Sequence, residues 1–208
     1  NGFAFSGEEA LSLVTDRTRL VILNSPANPT GGVTPRPEIA KLVAGLDAFP
    51  GAAILSDEIY DVMTYVGTEH VSLLQFPEIR DRLIMLDGWS KTYAMTGWRL
   101  GYAVWPEACV DHVTRLCIND HSCVNAATQY AGLAALTGPQ DAVRDMVAQF
   151  DARREVIVRE DGPWGDAWEV ADTIVYLASA RARYVNGASL LVDGANKKSY
   201  TRLLRERD

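Results

Sequence analysis

Three short apolar runs, each ending abruptly in polar residues, dominate the first half of the chain. Arg19 to Asn24 (RLVILN) stops at Ser25-Pro26. Ala52 to Ser56 (AAILS) is followed at once by Asp57-Glu58, and Leu83 to Asp87 (LIMLD) by Gly88-Trp89-Ser90-Lys91. Runs this short and this apolar are expected to be buried strands. Between the first two lies the loop PANPTGG, then Thr34 as an expected helix N-cap with Pro35 at the first helical position. Ile39, Leu42, Val43 and Leu46 follow at helical spacing, so a helix is expected to about Ala48, where Pro50-Gly51 breaks it. Trp98 to Val104 (WRLGYAV) is a further expected strand. Three helices should follow, from Pro106, from Val124 to Leu136, and from near Pro139 past Phe150. Strands that alternate with helices imply crossover connections, hence an α/β fold with a mainly parallel sheet flanked by helices. In such sheets ligands sit beyond the carboxyl ends of the strands. Here those ends carry Asn28, Asp57 and the Ser90-Lys91 pair.

Composition narrows the function classes. The 208 residues are 48% hydrophobic and 23% charged, ordinary for a globular protein. A net charge of -7 repels phosphate backbones and anionic lipid, which disfavours nucleic acid and membrane surfaces as partners. Cys109, Cys117 and Cys123 are too few and too clustered for a disulfide framework, so a reducing, cytoplasmic compartment is expected. The sequence contains no apolar run long enough to span a bilayer and no secretory leader. Its first residue is Asn, so the chain is expected to begin inside a longer reading frame.

Four polar elements line up in order: Asn28-Pro29-Thr30-Gly31, Asp57-Glu58-Ile59-Tyr60, Ser90-Lys91, and Gly97-Trp98-Arg99-Leu100-Gly101. Taken singly each has an ordinary explanation. A Ser-Lys pair is usually surface, a strand-end aspartate usually caps the next segment, an Asn-Pro-Thr-Gly run is usually a turn, and a strand arginine usually snorkels to solvent. Together, and in this order, they resemble the class I/II aminotransferases, which are fold-type I pyridoxal-phosphate enzymes. The resemblance is to the bacterial branch that reads SKxYAMTGWRxGY, matched here by Ser90 to Tyr102, and it continues through Gln129 to Leu136 (QYAGLAAL) and Phe150 to Val158 (FDARREVIV).

The resemblance implies a site. Lys91 is the match for the lysine that condenses with the aldehyde of pyridoxal 5'-phosphate and later carries the proton at the substrate's alpha carbon. Asp57 matches the carboxylate that holds a proton on the pyridine nitrogen, where it improves the ring as an electron sink. Tyr60 and Asn28 match the two groups that hydrogen-bond the phenolic oxygen. Ser90 and Arg99 match phosphate contacts, the latter by its planar fork of donors. The implied reaction moves an amino group between an amino acid and a 2-oxo acid, in a homodimer. No metal is expected.

The resemblance has limits. The family carries a long segment before the Asn-Pro-Thr-Gly motif that has no counterpart here, and no residue is assigned to the arginine that binds the substrate carboxylate. Past residue 158 the pattern changes. Gly162 to Ala195 resembles the C-terminal end of short-chain dehydrogenases/reductases, through Val170-Ala171, Tyr176-Leu177-Ala178-Ser179, Tyr184-Val185-Asn186-Gly187 and Val192-Asp193-Gly194-Ala195. A helix over Ala167 to Ser179 and a strand over Ser189 to Asp193 are expected there. The glycine loop and Tyr-x-x-x-Lys pair of that family are missing, so this piece carries no reductase chemistry by itself. The expected organisation is a partial aminotransferase domain over 1–158, a reductase-like fragment over 162–195 and a polar tail over 196–208. A catalytically inert cofactor-binding remnant, and after it a short-chain oxidoreductase fragment, are the alternatives to an active transaminase.

Three signals are set aside. Gly97-x-x-x-Gly101-x-Ala103 mimics a nucleotide-binding loop but falls in an expected strand. Cys109, His112, Cys117, His121 and Cys123 fit no familiar metal-ligand spacing. Asp81-Arg82 and Arg153-Arg154-Glu155 read as solvated charges.

Overall fold

The computed structural model describes residues 3–65 and 67–159, with backbone alone for 156–159. The chain divides into two units, Asn1–Asp151 and Ala152–Asp208, and apart from the last residues of the final helix the features below belong to the first. The reductase-like helix, strand and tail expected after residue 162 lie outside the described residues.

The elements run α1 (Gly7–Ser12), β1 (Leu20–Asn24), α2 (Arg36–Gly45), β2 (Ala53–Asp57), β3 (Leu83–Gly88), α3 (Trp89–Thr92), β4 (Gly101–Val104), α4 (Glu107–Asp120), α5 (Ala126–Thr137) and α6 (Asp141–Arg159). The four strands form one sheet in the order β1-β2-β3-β4. The first three are parallel, with Asn24 level with Asp57 and Asp57 level with Leu86. Each apolar run in the sequence is therefore a strand, and each polar boundary is a strand end on one edge of the sheet.

The fourth strand differs from its expected form. It begins only at Gly101 and pairs antiparallel to β3, with Gly88 opposite Gly101. Between β3 and β4 lie only one-turn helices, α3 and a 3-10 turn at Thr96–Trp98, not the long crossover helix a parallel neighbour needs. Trp98 and Arg99 precede the strand, and Arg99 is left-handed at φ 55. Glycine is required where β3 and β4 meet, because a Cβ on Gly88 would lie 2.9 Å from the Cα of Gly101 and 2.9 Å from the Leu100 oxygen.

One face of the sheet carries the core. Leu23, Ile54 and Leu83 from the strands pack with Ile39, Leu42, Val43 and Leu46 from α2 and the turn after it. Val71, Leu73, Phe76 and Ile79, from the segment between β2 and β3, complete the cluster. Leu42, Leu46, Ile54 and Ile79 are fully buried, each contributing about 1.5–3 kcal/mol by leaving water. Alternation along β1 turns Leu20 and Ile22 to the other face, where both are exposed.

Two local expectations change. Thr34 is not the N-cap of α2; Pro35 is, in extended backbone and without a side-chain cap. Pro37 takes the early position where a missing N–H costs nothing. Thr34 is buried instead, its backbone N–H donating to the Ser25 hydroxyl at 3.0 Å. Arg82 is not a solvated charge either. Its side chain is 13% exposed, and its guanidinium donates to the Leu46 and Phe49 carbonyls, both at 3.0 Å. Those carbonyls lie at the end of the helical stretch that α2 begins and each also accepts a backbone N–H, from Phe49 and Ala52 respectively, so Arg82 adds a charged second donor to both.

Candidate functional site

The site is built at the carboxyl ends of β1, β2 and β3. At the end of β1, the Asn24 side chain organises two neighbours. Its amide donates to the Asp57 carbonyl at 3.1 Å, and its oxygen accepts the Asn28 N–H at 2.8 Å. The loop that carries Asn28 folds back through Gly31, whose φ of 69 suits glycine and whose N–H reaches the Ala27 carbonyl at 2.7 Å. The Ser25-Pro26 and Asn28-Pro29 peptides are cis. The Asn28 side-chain amide then reaches the Tyr60 hydroxyl at 3.1 Å.

At the end of β2, the Asp57 carboxylate accepts the Ile59 N–H at 3.2 Å and so caps the turn that leads to Tyr60. Glu58 points to the opposite side of the strand and is buried. Burial pushes its carboxyl up, but hydrogen bonds from His70, Ser72, the Leu73 amide and Ser56 outweigh it and hold the group below the usual range.

At the end of β3 the chain turns directly into α3, which carries Ser90 and Lys91. The Lys91 ammonium lies 5.7 Å from the centre of the Tyr60 ring, within range of a cation–π attraction. Thr92 donates to Asp61 at 3.4 Å. Asp87 accepts the Gly88 N–H at 2.6 Å and the Tyr102 hydroxyl at 3.0 Å, which ties the base of the lysine turn to β4. Burial pushes the Asp87 carboxyl up despite both bonds, and the charges of Asp61 and Glu58 add to the shift. Tyr102 is pushed up to about 12, first by burial and then by Asp87. Trp89 stacks edge-on against Tyr102 at 5.5 Å and donates to the Gly132 carbonyl of α5 at 2.9 Å.

The structure thus brings Asn28, Tyr60 and Lys91 into contact, with Asp57 at the same sheet edge and Ser90 beside Lys91 on α3. Arg99 is apart from them in its interactions. Its guanidinium donates to the Thr96 carbonyl at 2.8 Å inside its own left-handed turn. The sequence reading missed Asn24, Asp87 and Tyr102. Asn24 had a legible signal, a polar residue closing an apolar strand. Beside α3 lies a cavity of about 530 Å³ lined by Val62, Thr64, Thr92, Tyr93, Val143 and Val147 among others. Among the described residues no three acidic, histidine or cysteine side chains gather as metal ligands. Cys109 and Cys117 are half-buried and Cys123 is exposed, all as free thiols.

Comparison with known proteins places this arrangement. Residues 1–161 match the family described as "Aminotransferase class I and II". The aspartate aminotransferase of Geobacillus stearothermophilus is 38% identical over 158 residues, covering 76% of this chain and 40% of that protein. The crystal structure of the aspartate aminotransferase from Rhizobium meliloti superposes with a TM-score of 0.72 at 35% identity, over 76% of this chain and 40% of that one. An aromatic aminotransferase from Pyrococcus horikoshii OT3 gives a TM-score of 0.71 at 32% identity, over 75% and 42%. The chain therefore spans about 40% of the length of such relatives. Over that span the family match, the sequence identity and the superposition agree, and the chain belongs to the class I and II aminotransferases.

Proposed function

We propose that this chain is the cofactor-holding core of a pyridoxal-phosphate-dependent aminotransferase, with Lys91 as the residue that bears the cofactor. The observation that carries the reading is the meeting of Lys91, Tyr60 and Asn28 beside the Asp57 strand end. The donor set suits the group. Lys91 offers an amine for an aldehyde. Asn28 and Tyr60 offer an amide and a phenol side by side for a ring oxygen. Asp57 offers a carboxylate for a protonated ring nitrogen, and Ser90 and Arg99 offer a hydroxyl and a guanidinium for a phosphate. When bound, the cofactor supplies an electron sink for the bonds at an amino acid's alpha carbon.

In this reading the chain's own residues do three things. Lys91 would hold the cofactor by its amine and would carry the proton at the substrate's alpha carbon, as base and then acid. Asp57 keeps a positive charge on the ring nitrogen, and its carboxylate is already oriented by the Ile59 N–H. Tyr60 and Asn28 bind the ring oxygen, and their mutual hydrogen bond sets the tilt of both. In the phosphate role Arg99 would use the guanidinium donors that the Thr96 carbonyl does not engage.

The substrates in this reading are an amino acid and a 2-oxo acid, the assembly is a homodimer, and the compartment is the cytoplasm. Residues 1–158 form the partial aminotransferase domain and 162–195 a separate reductase-like fragment. Assay of the purified chain with pyridoxal phosphate against a panel of amino acids and 2-oxo acids tests the reading. Turnover that falls on the order of 10²–10⁴-fold or more in Lys91→Ala supports it. Cofactor binding with no turnover for any pair would favour an inert cofactor-binding remnant.

A further inference from the structure

Glu58 is the one buried acidic or basic side chain among the described residues, at 4% exposure. Strand alternation explains where it points. Ser56 and Glu58 turn to the core side of β2, and Asp57 between them turns to the other side. The Ser56 hydroxyl donates to Glu58 Oε1 at 2.8 Å, and the Leu73 N–H donates to the same oxygen at 2.9 Å. The other oxygen, Oε2, faces His70 Nε2 at 3.1 Å. The backbone of Glu58 is held as firmly. Its N–H donates to the Leu86 carbonyl of β3 at 2.9 Å, and its carbonyl accepts the Asp61 N–H at 2.9 Å.

His70 is the less usual half of the pair. Its Nδ1 is buried with no hydrogen-bond partner among the described residues. A carboxylate oxygen accepts, so Nε2 is the nitrogen that donates to Glu58. A ring placed inside at the expense of one polar atom is there for its other nitrogen, whose partner among the described residues is Glu58. The contact joins the segment 70–73 to the single residue that separates Asp57 from the turn carrying Tyr60.

We propose that His70 and Glu58 form a buried staple that positions Asp57 and Tyr60, keeping the carboxylate and the hydroxyl assigned to the cofactor ring at a fixed separation. Neither residue touches the cofactor; both act through the path of the backbone from Asp57 to Tyr60. This inference rests on the cofactor reading above for its functional meaning, and on the buried contacts alone for its geometry.

The test compares wild type with His70→Ala and His70→Gln, and with Ile79→Val as a packing change elsewhere in the same core. A glutamine amide reaches about as far as Nε2 and can donate to Glu58, whereas alanine cannot. With pyridoxal phosphate added, His70→Ala is expected to weaken cofactor binding about tenfold and to shift the visible absorbance maximum. His70→Gln should restore both, and Ile79→Val should lower the melting temperature without moving either. In the cofactor-free proteins, amide exchange at Ile59, whose N–H is held by Asp57, should rise about tenfold in His70→Ala and stay near wild type in His70→Gln. If His70→Ala and Ile79→Val behave alike, lowering only the melting temperature, the staple is a packing feature and the proposal is overturned. If wild type itself binds no cofactor, the functional reading fails separately, and exchange at Ile59 still decides whether the staple holds the segment.

Discussion

Tyr60 illustrates how much rests on single atoms at this site. Its hydroxyl accepts from Asn28 while its ring faces the Lys91 ammonium. Tyr60→Phe keeps the ring and removes the hydroxyl, so it isolates the hydrogen bond. A bond of that kind contributes about 0.5–1.5 kcal/mol, and cofactor titration should show a loss of affinity of roughly threefold to tenfold. Asp87 has the opposite electrostatic character. Burial raises its folded value above the ordinary 3.8, so its contribution to stability is full below 3.8 and is lost as pH rises through the folded value. Asp87→Asn should therefore melt near wild type at about pH 4 and above it at about pH 8, as thermal melts at the two pH values would show. These residues were unequally legible. The position of Lys91, Asp57 and Asn28 at or just beyond strand ends was legible because each apolar run stops abruptly. Asp87 and Tyr102 could not, because their pairing depends on β4 running antiparallel, and local pattern does not reveal strand direction. Arg99 sits between two glycines in a stretch that reads as a strand, which hid a left-handed turn.

Among the elements, short buried strands were readable from apolarity and length, and α2 from the spacing of Ile39, Leu42, Val43 and Leu46. The direction of β4 depended instead on what joins it to β3, a matter of connection content and not of strand composition. Arg82 belongs to this scale, because its guanidinium finishes a helix thirty-odd residues away in sequence. Arg82→Ala leaves the Leu46 and Phe49 carbonyls without that donor in a partly buried place. Urea unfolding should register a loss of about 1–3 kcal/mol, with the slope unchanged. An unchanged midpoint would mean that water replaces the guanidinium without cost. An arginine following an aspartate looks solvated in sequence, and only the tertiary return of the chain shows otherwise.

For the whole molecule, the described core occupies one side of a four-stranded sheet, and the polar strand ends gather along one edge. That edge gives the motifs a common location, which is the reason four individually weak patterns carry weight together. In the proposed function Lys91 is the cofactor-bearing lysine within it. The most direct test mixes purified protein with pyridoxal phosphate, reduces the mixture with borohydride and maps the added mass by peptide mass spectrometry, beside Lys91→Ala. One adduct is expected, on the peptide containing Lys91, with the visible band fixed in wild type and missing in the variant. A folded sample that carries no adduct at Lys91, or carries it equally on surface lysines in both proteins, would contradict it.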